Sequence, residues 1–169
     1  PQLMPELSQK ERLQLSLLDR LSDDEPEKTS ESREKRVISV SRLKELVQRD
    51  LAWLLNSVAA SANMDFTEFP EVASSTLNYG IIDLSGYSSM IFNPKFIERE
   101  LIKSIRNYEP RIIPRTLKIK VSVAKKEMSG NTLSFEITGD LWAQPLPLQL
   151  FLKTEVDIEN GSVTLSNWN

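Results

Sequence analysis

The stretch Glu109-Pro110-Arg111 constrains the fold of this chain more than any other. Pro110 fixes its own φ and keeps the residue before it out of the α region, so a helix that reaches this point must end here. An acid and a base flank the proline, and both are therefore held at a backbone corner. The residues alone predict a rigid ion-paired corner, and they leave open whether the pair is internal or contacts a partner.

The hydrophobic periodicity changes at this corner. On its N-terminal side, residues 94–108 are apolar at every third or fourth position, which is typical of an amphipathic helix. Asn93 and Pro94 supply the expected N-cap and first helical residue. The apolar stripe comprises Ile97, Leu101, Ile105 and Tyr108.

An earlier helix is predicted to begin after Ser41, a good N-cap, and to fade near residues 61–63. Its apolar stripe comprises Leu43, Leu46, Val47, Leu51, Leu54, Leu55 and Val58. Trp53 lies off this stripe, where it could close the edge of the core or contact a partner, and we favour the core. Between the two helices, residues 77–82 predict an ordered turn, because Asn78 and Gly80 tolerate positive φ and Tyr79 can anchor in the core.

After the corner, apolar and polar residues alternate, which is typical of strands with one wet face. Strands are predicted at about residues 117–123, 133–138, 148–158 and 163–165. A hairpin turn at Met128-Ser129-Gly130-Asn131 joins the first two, and Pro145 and Pro147 mark a wider connection. The predicted fold class is α+β: a small antiparallel β-meander packed on one face by two main helices.

The N-terminal part differs in character from the rest. Leucines at 13, 15, 17, 18 and 21 predict a short amphipathic helix, too brief to be stable unless it docks on the body or on a partner. Residues 22–36 are charged and Ser-rich and predict a flexible linker. We therefore divide the chain into residues 1–36, a short helix and linker, and residues 37–169, the α+β domain.

Composition excludes several classes of function. The chain of 169 residues contains no cysteine and no histidine, which rules out disulfides, Ser-His-Asp or Cys-His triads and His-ligated metals. A net charge of −3 gives no sign of nucleic-acid binding. No apolar run is long enough for a membrane span, and no signal-peptide core is present. Composition leaves carboxylate chemistry, lysine chemistry or an oxygen-ligated cation open. We expect a cytoplasmic protein, and we assign it no cofactor and no metal.

Five stretches, in order along nearly the whole chain, carry a resemblance to a known family. They are Ser16–Leu21, Ser39–Asn56, Leu77–Leu84, Glu109–Arg111 and Phe135–Leu141. In these stretches the chain resembles the TssE family, the small baseplate subunits of bacterial type VI secretion systems. It also resembles the wider family of phage baseplate wedge proteins of contractile tails, long labelled lysozyme-like.

The resemblance implies a structural, non-catalytic role. In that family the subunit sits in a baseplate wedge with TssF, TssG and TssK, near the start of the contractile sheath of TssB and TssC and docked to the inner-membrane complex. The family's Glu-Pro-Arg motif maps onto Glu109, Pro110 and Arg111, where it is tied to holding the wedge together. The physics adds a mechanism: an open meander has an edge strand that can accept a strand from another chain, and either the third strand or Val163–Leu165 is a candidate.

The residues allow three alternatives. A lysozyme-like enzyme would use Glu109 as general acid with Asp83 or Asp140 as its partner, but the neighbouring Arg111 favours the ionised carboxylate. A metal site among Asp23, Asp24, Glu25 and Glu27 lacks the ligand spacing and glycine of a calcium loop. A general cytoplasmic adaptor is the third, and only the identity of its partners would distinguish it from a baseplate subunit.

Overall fold

The computed structural model describes residues 17–21, 40–85, 93–125, 131–142, 147–157 and 161–167. The helices are α1 (Leu17–Leu21), α2 (Val40–Leu55), α3 (Pro70–Ser74) and α4 (Pro94–Tyr108), with 3-10 turns at Ala60–Ala62 and Thr76–Asn78. The strands are β1 (Lys118–Lys125), β2 (Asn131–Leu141), β3 (Leu148–Asp157) and β4 (Val163–Asn167).

The four strands form one antiparallel sheet in the order β1-β2-β3-β4, so β1 and β4 are its edges. Val121 pairs with Phe135, Phe135 with Thr154, and Thr154 with Leu165, which sets the register across the sheet. The third strand lies inside the sheet, so its proposal as an exposed edge is wrong. Only β4 of the two candidate strands is an edge.

One face of the sheet is dry, and α4 packs along β1 while α2 packs along β4. The core joins the apolar stripes of both helices to the inward side chains of the strands, and Phe135 is its largest fully buried side chain. Thr154 shares this dry face, where its hydroxyl donates to the carbonyl of Phe135. The α+β fold class predicted from the sequence is confirmed.

The helix α4 forms as its sequence predicts. The side chain of Asn93 accepts a hydrogen bond from the amide of Phe96 at 3.2 Å, and Pro94 occupies the first turn. Ile97, Leu101 and Ile105 are buried. A cap and a buried stripe together account for both the start and the orientation of this helix.

The helix α2 differs from the prediction at both ends. It begins at Val40, so Ser41 lies in its first turn instead of capping it, and it ends at Leu55. Val58, the last residue of the predicted stripe, is 53% exposed because residues 57–59 leave the helix to bridge Ile81 in parallel. Tertiary pairing therefore overrides a helical pattern that continues in the sequence.

Asn56 fastens the end of α2 to the sheet. Its side-chain amide donates to the carbonyl of Val163 at 3.0 Å, and its carbonyl oxygen accepts from the Val163 amide at 2.9 Å. The same amide also donates to the carbonyl of Ala52. One side chain thus satisfies both outward backbone groups at the start of β4.

The segment 77–82 forms an ordered turn as predicted, but only Gly80 has a positive φ, since Asn78 ends a 3-10 turn. Gly80 has φ +132°, and a β-carbon there would lie 2.6 Å from the carbonyl oxygen of Ser57, so only glycine fits. Tyr79 packs against the core and meets Tyr108 edge to face, with ring centroids 5.3 Å apart. The hydroxyl of Tyr108 lies 2.8 Å from the carbonyl oxygen of Asn78 and 2.9 Å from that of Ser75, just before this segment.

Several other expectations concern the ends of elements. Asn131 begins β2 opposite Lys125 and so is not part of the hairpin turn, whose other residues lie outside the described ranges. The fourth strand runs to Asn167, two residues further than predicted. The predicted linker at residues 22–36, together with Leu13, Leu15 and Pro145, also lies outside them. The division at residue 36 stays a prediction.

Among the residues that the structure describes, no helix is long and apolar enough to cross a membrane.

Candidate functional site

The Glu-Pro-Arg corner lies where α4 meets the end of β2. The amide of Glu109 donates to the carbonyl of Ile105 at 2.8 Å and closes the last turn of α4. The chain then turns at Pro110, which is exposed. After this turn, the carbonyl of Arg111 accepts from the Trp142 amide at 2.7 Å. The residues that follow the corner therefore pair with the end of β2 before β1 begins.

The acid and the base of the corner bind each other. Arg111 donates from Nε to Oε1 of Glu109 at 2.7 Å and from Nη2 to Oε2 at 2.5 Å, in a bidentate arrangement. The backbone amide of Arg111 also donates to Oε1. The Glu109 side chain is 3% exposed, so the pair is internal to the chain and largely buried. Whether the corner also binds a partner stays a prediction.

Asp50 on α2 completes the corner, and sequence reasoning did not identify it as a site residue. Its Oδ2 accepts from Nη2 of Arg111 at 2.5 Å, across 61 residues of chain. Its Oδ1 accepts from Nε and Nη2 of Arg49 at 2.9 and 2.7 Å. In the sequence, Asp50 is recognisable only as an acidic residue next to the apolar stripe of α2, and this position does not indicate a contact with Arg111.

The network continues to the N-terminal helix. Nη1 of Arg49 lies 2.8 Å from Oδ1 of Asp19 on α1. The Arg49 guanidinium also stacks on Trp53, 4.8 Å from the ring centroid, and Trp53 is 51% exposed. The expectation that Trp53 closes the core is therefore wrong, because this ring packs against a surface arginine. Glu109, Arg111, Asp50, Arg49 and Asp19 form one chain of alternating charge.

The surroundings hold both arginines in the charged form. Burial lowers the pKa of Arg111, but the hydrogen bonds and charge of Glu109, followed by those of Asp50, outweigh it and raise that pKa. The pKa of Arg49 is also raised. Burial lowers it, but the hydrogen bonds of Asp19 and Asp50 outweigh this effect. The network therefore favours the charged form of both arginines.

The corner does not favour acid catalysis. Both carboxylate oxygens of Glu109 accept hydrogen bonds from Arg111, whereas a general acid must carry a proton there. Asp83, a proposed partner, is bonded by the hydroxyl and amide of Ser85, which lower its pKa. Asp140, the other proposed partner, lies in β2, where its backbone carbonyl accepts from the Ile113 amide. The hydrogen bonds among Glu109, Arg111 and Asp50 fix the shape of this corner.

An α+β domain with a buried ionic corner and an open four-stranded sheet is therefore a structural unit suited to assembly. The sequence model of the family described as baseplate wedge protein gp25 matches residues 41–146. The chain belongs to that family, which gives it a structural role in a phage-like baseplate together with other baseplate proteins. No curated protein and no solved structure matches the chain significantly.

The matched range includes α2, the corner and β2, and it ends before β3. Asp50, Glu109 and Arg111 all lie within it, while α1 and the last two strands lie outside. The resemblance inferred from the sequence motifs is confirmed at the level of this family.

Proposed function

We propose that the chain is the TssE-type wedge subunit of a type VI secretion baseplate and that it has no catalytic activity. Its partners are then TssF, TssG and TssK, and the assembly lies in the cytoplasm, docked to the inner-membrane complex. The observation that carries this proposal is the buried corner of Glu109, Arg111 and Asp50 inside a chain of the baseplate wedge family.

The corner would act by presenting a rigid surface. Its charged groups are turned inward on one another, which leaves Pro110 exposed at the bend. Trp142 is 57% exposed, and its amide donates to the carbonyl of Arg111, so the backbone that carries this ring lies beside the corner. Exposed aromatic side chains on a rigid backbone are frequent anchors of protein interfaces. We place the contact with TssF and TssG at Pro110 and Trp142.

Co-expression with tagged TssF and TssG tests this contact. Trp142→Ala should abolish capture without altering the urea unfolding midpoint, because it removes an exposed ring. Phe69→Ala is the matched control, since that aromatic ring is 59% exposed and lies just before α3, outside the ionic network. Capture by all three proteins would place the contact elsewhere. No capture by the unsubstituted, folded protein would contradict the baseplate assignment and favour the general adaptor.

The second contact that we propose is with the sheath, through β4. The amide and carbonyl of Val163 point away from β3 and are bonded by Asn56. Because the direction of these groups alternates along an antiparallel strand, the amides and carbonyls of Leu165 and Asn167 also point away from β3. On the other edge of the sheet, the amide of Val121 in β1 donates to Glu98 at 3.0 Å. An extended strand of TssB or TssC would pair with β4 beyond Val163.

Proline substitution distinguishes the outward positions of β4 from the inward ones. Leu165→Pro removes an amide directed away from β3, so the isolated protein should stay folded while sheath assembly fails. Thr164→Pro removes an amide that pairs with Glu155 of β3, so it should destabilise the fold itself. Normal sheath assembly with a folded Leu165→Pro protein would contradict this use of the edge.

A further inference from the structure

The helix α1 is attached to the body in an unusual way. It has only five residues, too few to be stable without tertiary contacts. Its acidic side chain faces inward: Asp19 is 6% exposed, while Leu21 is 75% exposed and Leu18 is half exposed. Among the described side chains of α1, the aspartate is buried and two leucines are exposed, so the charge of Asp19 contributes to holding the helix in place.

The guanidinium of Arg49 holds this aspartate with one edge and the corner with another. Nη1 contacts Asp19, while Nε and Nη2 contact Oδ1 of Asp50, whose other oxygen binds Arg111. An arginine side chain loses considerable rotamer freedom when it is fixed in one geometry. The contact with Asp19 already restricts the rotamers of Arg49 to the geometry that binds Asp50. The contact between Arg49 and Asp50 therefore costs less side-chain entropy when Asp19 is in place.

We propose that α1 is a latch whose docking is coupled to the Glu-Pro-Arg corner through Arg49 and Asp50. Asp19 and Arg49 are then positioning residues for Arg111, although neither touches it. Anything that draws α1 from the body loosens the bond between Asp50 and Arg111, and a partner that tightens the corner favours the docked α1. The proposal rests on contacts within the chain and holds whatever the baseplate partners are.

The first test is a double-mutant cycle in the full chain, with Asp19→Asn, Glu109→Gln and both together. The effects of coupled residues in one ionic network are not independent. Each substitution raises the unfolding equilibrium constant by some factor, and the factor for the double variant should be at least about threefold smaller than the product of the two single factors. Glu45→Gln is the matched control, since its carboxylate on α2 is exposed and pairs with Arg42. When Glu45→Gln is combined with Glu109→Gln, the factor for the double variant should equal the product of the two single factors.

A second readout needs only the mild Asp19→Asn variant and does not depend on Glu109→Gln being folded. The Nε–H of Arg111, which bonds Glu109, should exchange with solvent faster in Asp19→Asn, as followed by NMR. The Nε–H of Arg99, which bonds Glu100 on exposed α4 surface, should be unchanged. Multiplicative effects in the cycle together with an unchanged Arg111 Nε–H would overturn the latch.

Discussion

Arg111 and Asp50 lie 61 residues apart in the chain and meet at 2.5 Å between Nη2 and Oδ2. This contact joins the corner that follows α4 to the middle of α2, the two helices that cover the sheet. The same nitrogen also binds Glu109, so one guanidinium group holds two carboxylates from different elements. Most of what distinguishes the corner from an ordinary helix end depends on this arginine.

Replacing Arg111 should therefore be costly. Arg111→Ala leaves the Glu109 carboxylate buried without its partner, and the free energy of unfolding should fall by about 3–5 kcal/mol. Arg111→Lys should recover part of this loss, because an ammonium group keeps the charge but cannot bind bidentately. Urea unfolding followed by circular dichroism measures both. Arg115→Ala is the control: this exposed arginine should change stability by less than about 0.5 kcal/mol.

The two paired tyrosines predict a loss of stability at alkaline pH. Burial raises the pKa of Tyr79, and the charges of Asp50 and Glu109 raise it further; burial also raises the pKa of Tyr108. The folded chain thus keeps these protons where the unfolded chain loses them. Their contribution is complete below pH of about 10, the ordinary tyrosine pKa, and falls as pH rises through the folded values.

Tyr79→Phe isolates this effect, since phenylalanine cannot ionise. Its unfolding free energy should fall less than that of the unsubstituted protein between pH 9 and pH 11.5, a range chosen around the tyrosine value of about 10. Urea titrations at several pH values measure the difference. Parallel curves for the two proteins would show that Tyr79 does not titrate differently on folding.

The local features of the fold were predictable because their causes are local. Asn93 and Pro94 start α4 by capping and backbone preference, and the alternation in β1 and β2 fixes which side chains face the core. Gly80 and the turn around it follow from the conformational freedom of glycine. The proline of the corner ends a helix in any context.

The features that sequence reasoning missed depend on partners distant in the chain. The pattern of α2 continues to Val58, but the bridge to Ile81 ends the helix earlier. Trp53 was expected in the core, but its ring packs on the guanidinium of Arg49 at the surface. Asp19 and Asp50 hold that guanidinium in place. The role of Asp50 could not be read from the pattern, because it depends on an arginine that only the tertiary fold brings near.

The N-cap of α4 gives a prediction of moderate size. Asn93→Ala removes the acceptor for the Phe96 amide and should lower the free energy of unfolding by about 1 kcal/mol. Asn93→Asp should retain most of the stability, because aspartate also caps well. Asn107→Ala, an exposed position in the last turn of the same helix, is the control and should be close to neutral. An equal loss at both asparagines would contradict the capping role.

Gly80 should be the least replaceable glycine of the described residues. A β-carbon there would lie 2.6 Å from the Ser57 oxygen and 2.7 Å from the Ala59 nitrogen, both backbone atoms that the bridge to Ile81 holds in place. Its carbonyl also accepts from the buried hydroxyl of Ser104 at 2.6 Å, so the segment cannot shift without breaking that bond.

Gly80→Ala should therefore lower the free energy of unfolding by more than about 3 kcal/mol, through overlap and backbone strain together. Gly161→Ala is the matched comparison, since its φ is +71° and the nearest atom to an added β-carbon, in Ser85, lies at 3.7 Å. That change carries only the left-handed backbone cost of about 1–2 kcal/mol. Thermal and urea unfolding of both variants measure the two losses, and a loss at Gly80 no larger than that at Gly161 would contradict the overlap with the Ser57 and Ala59 backbone.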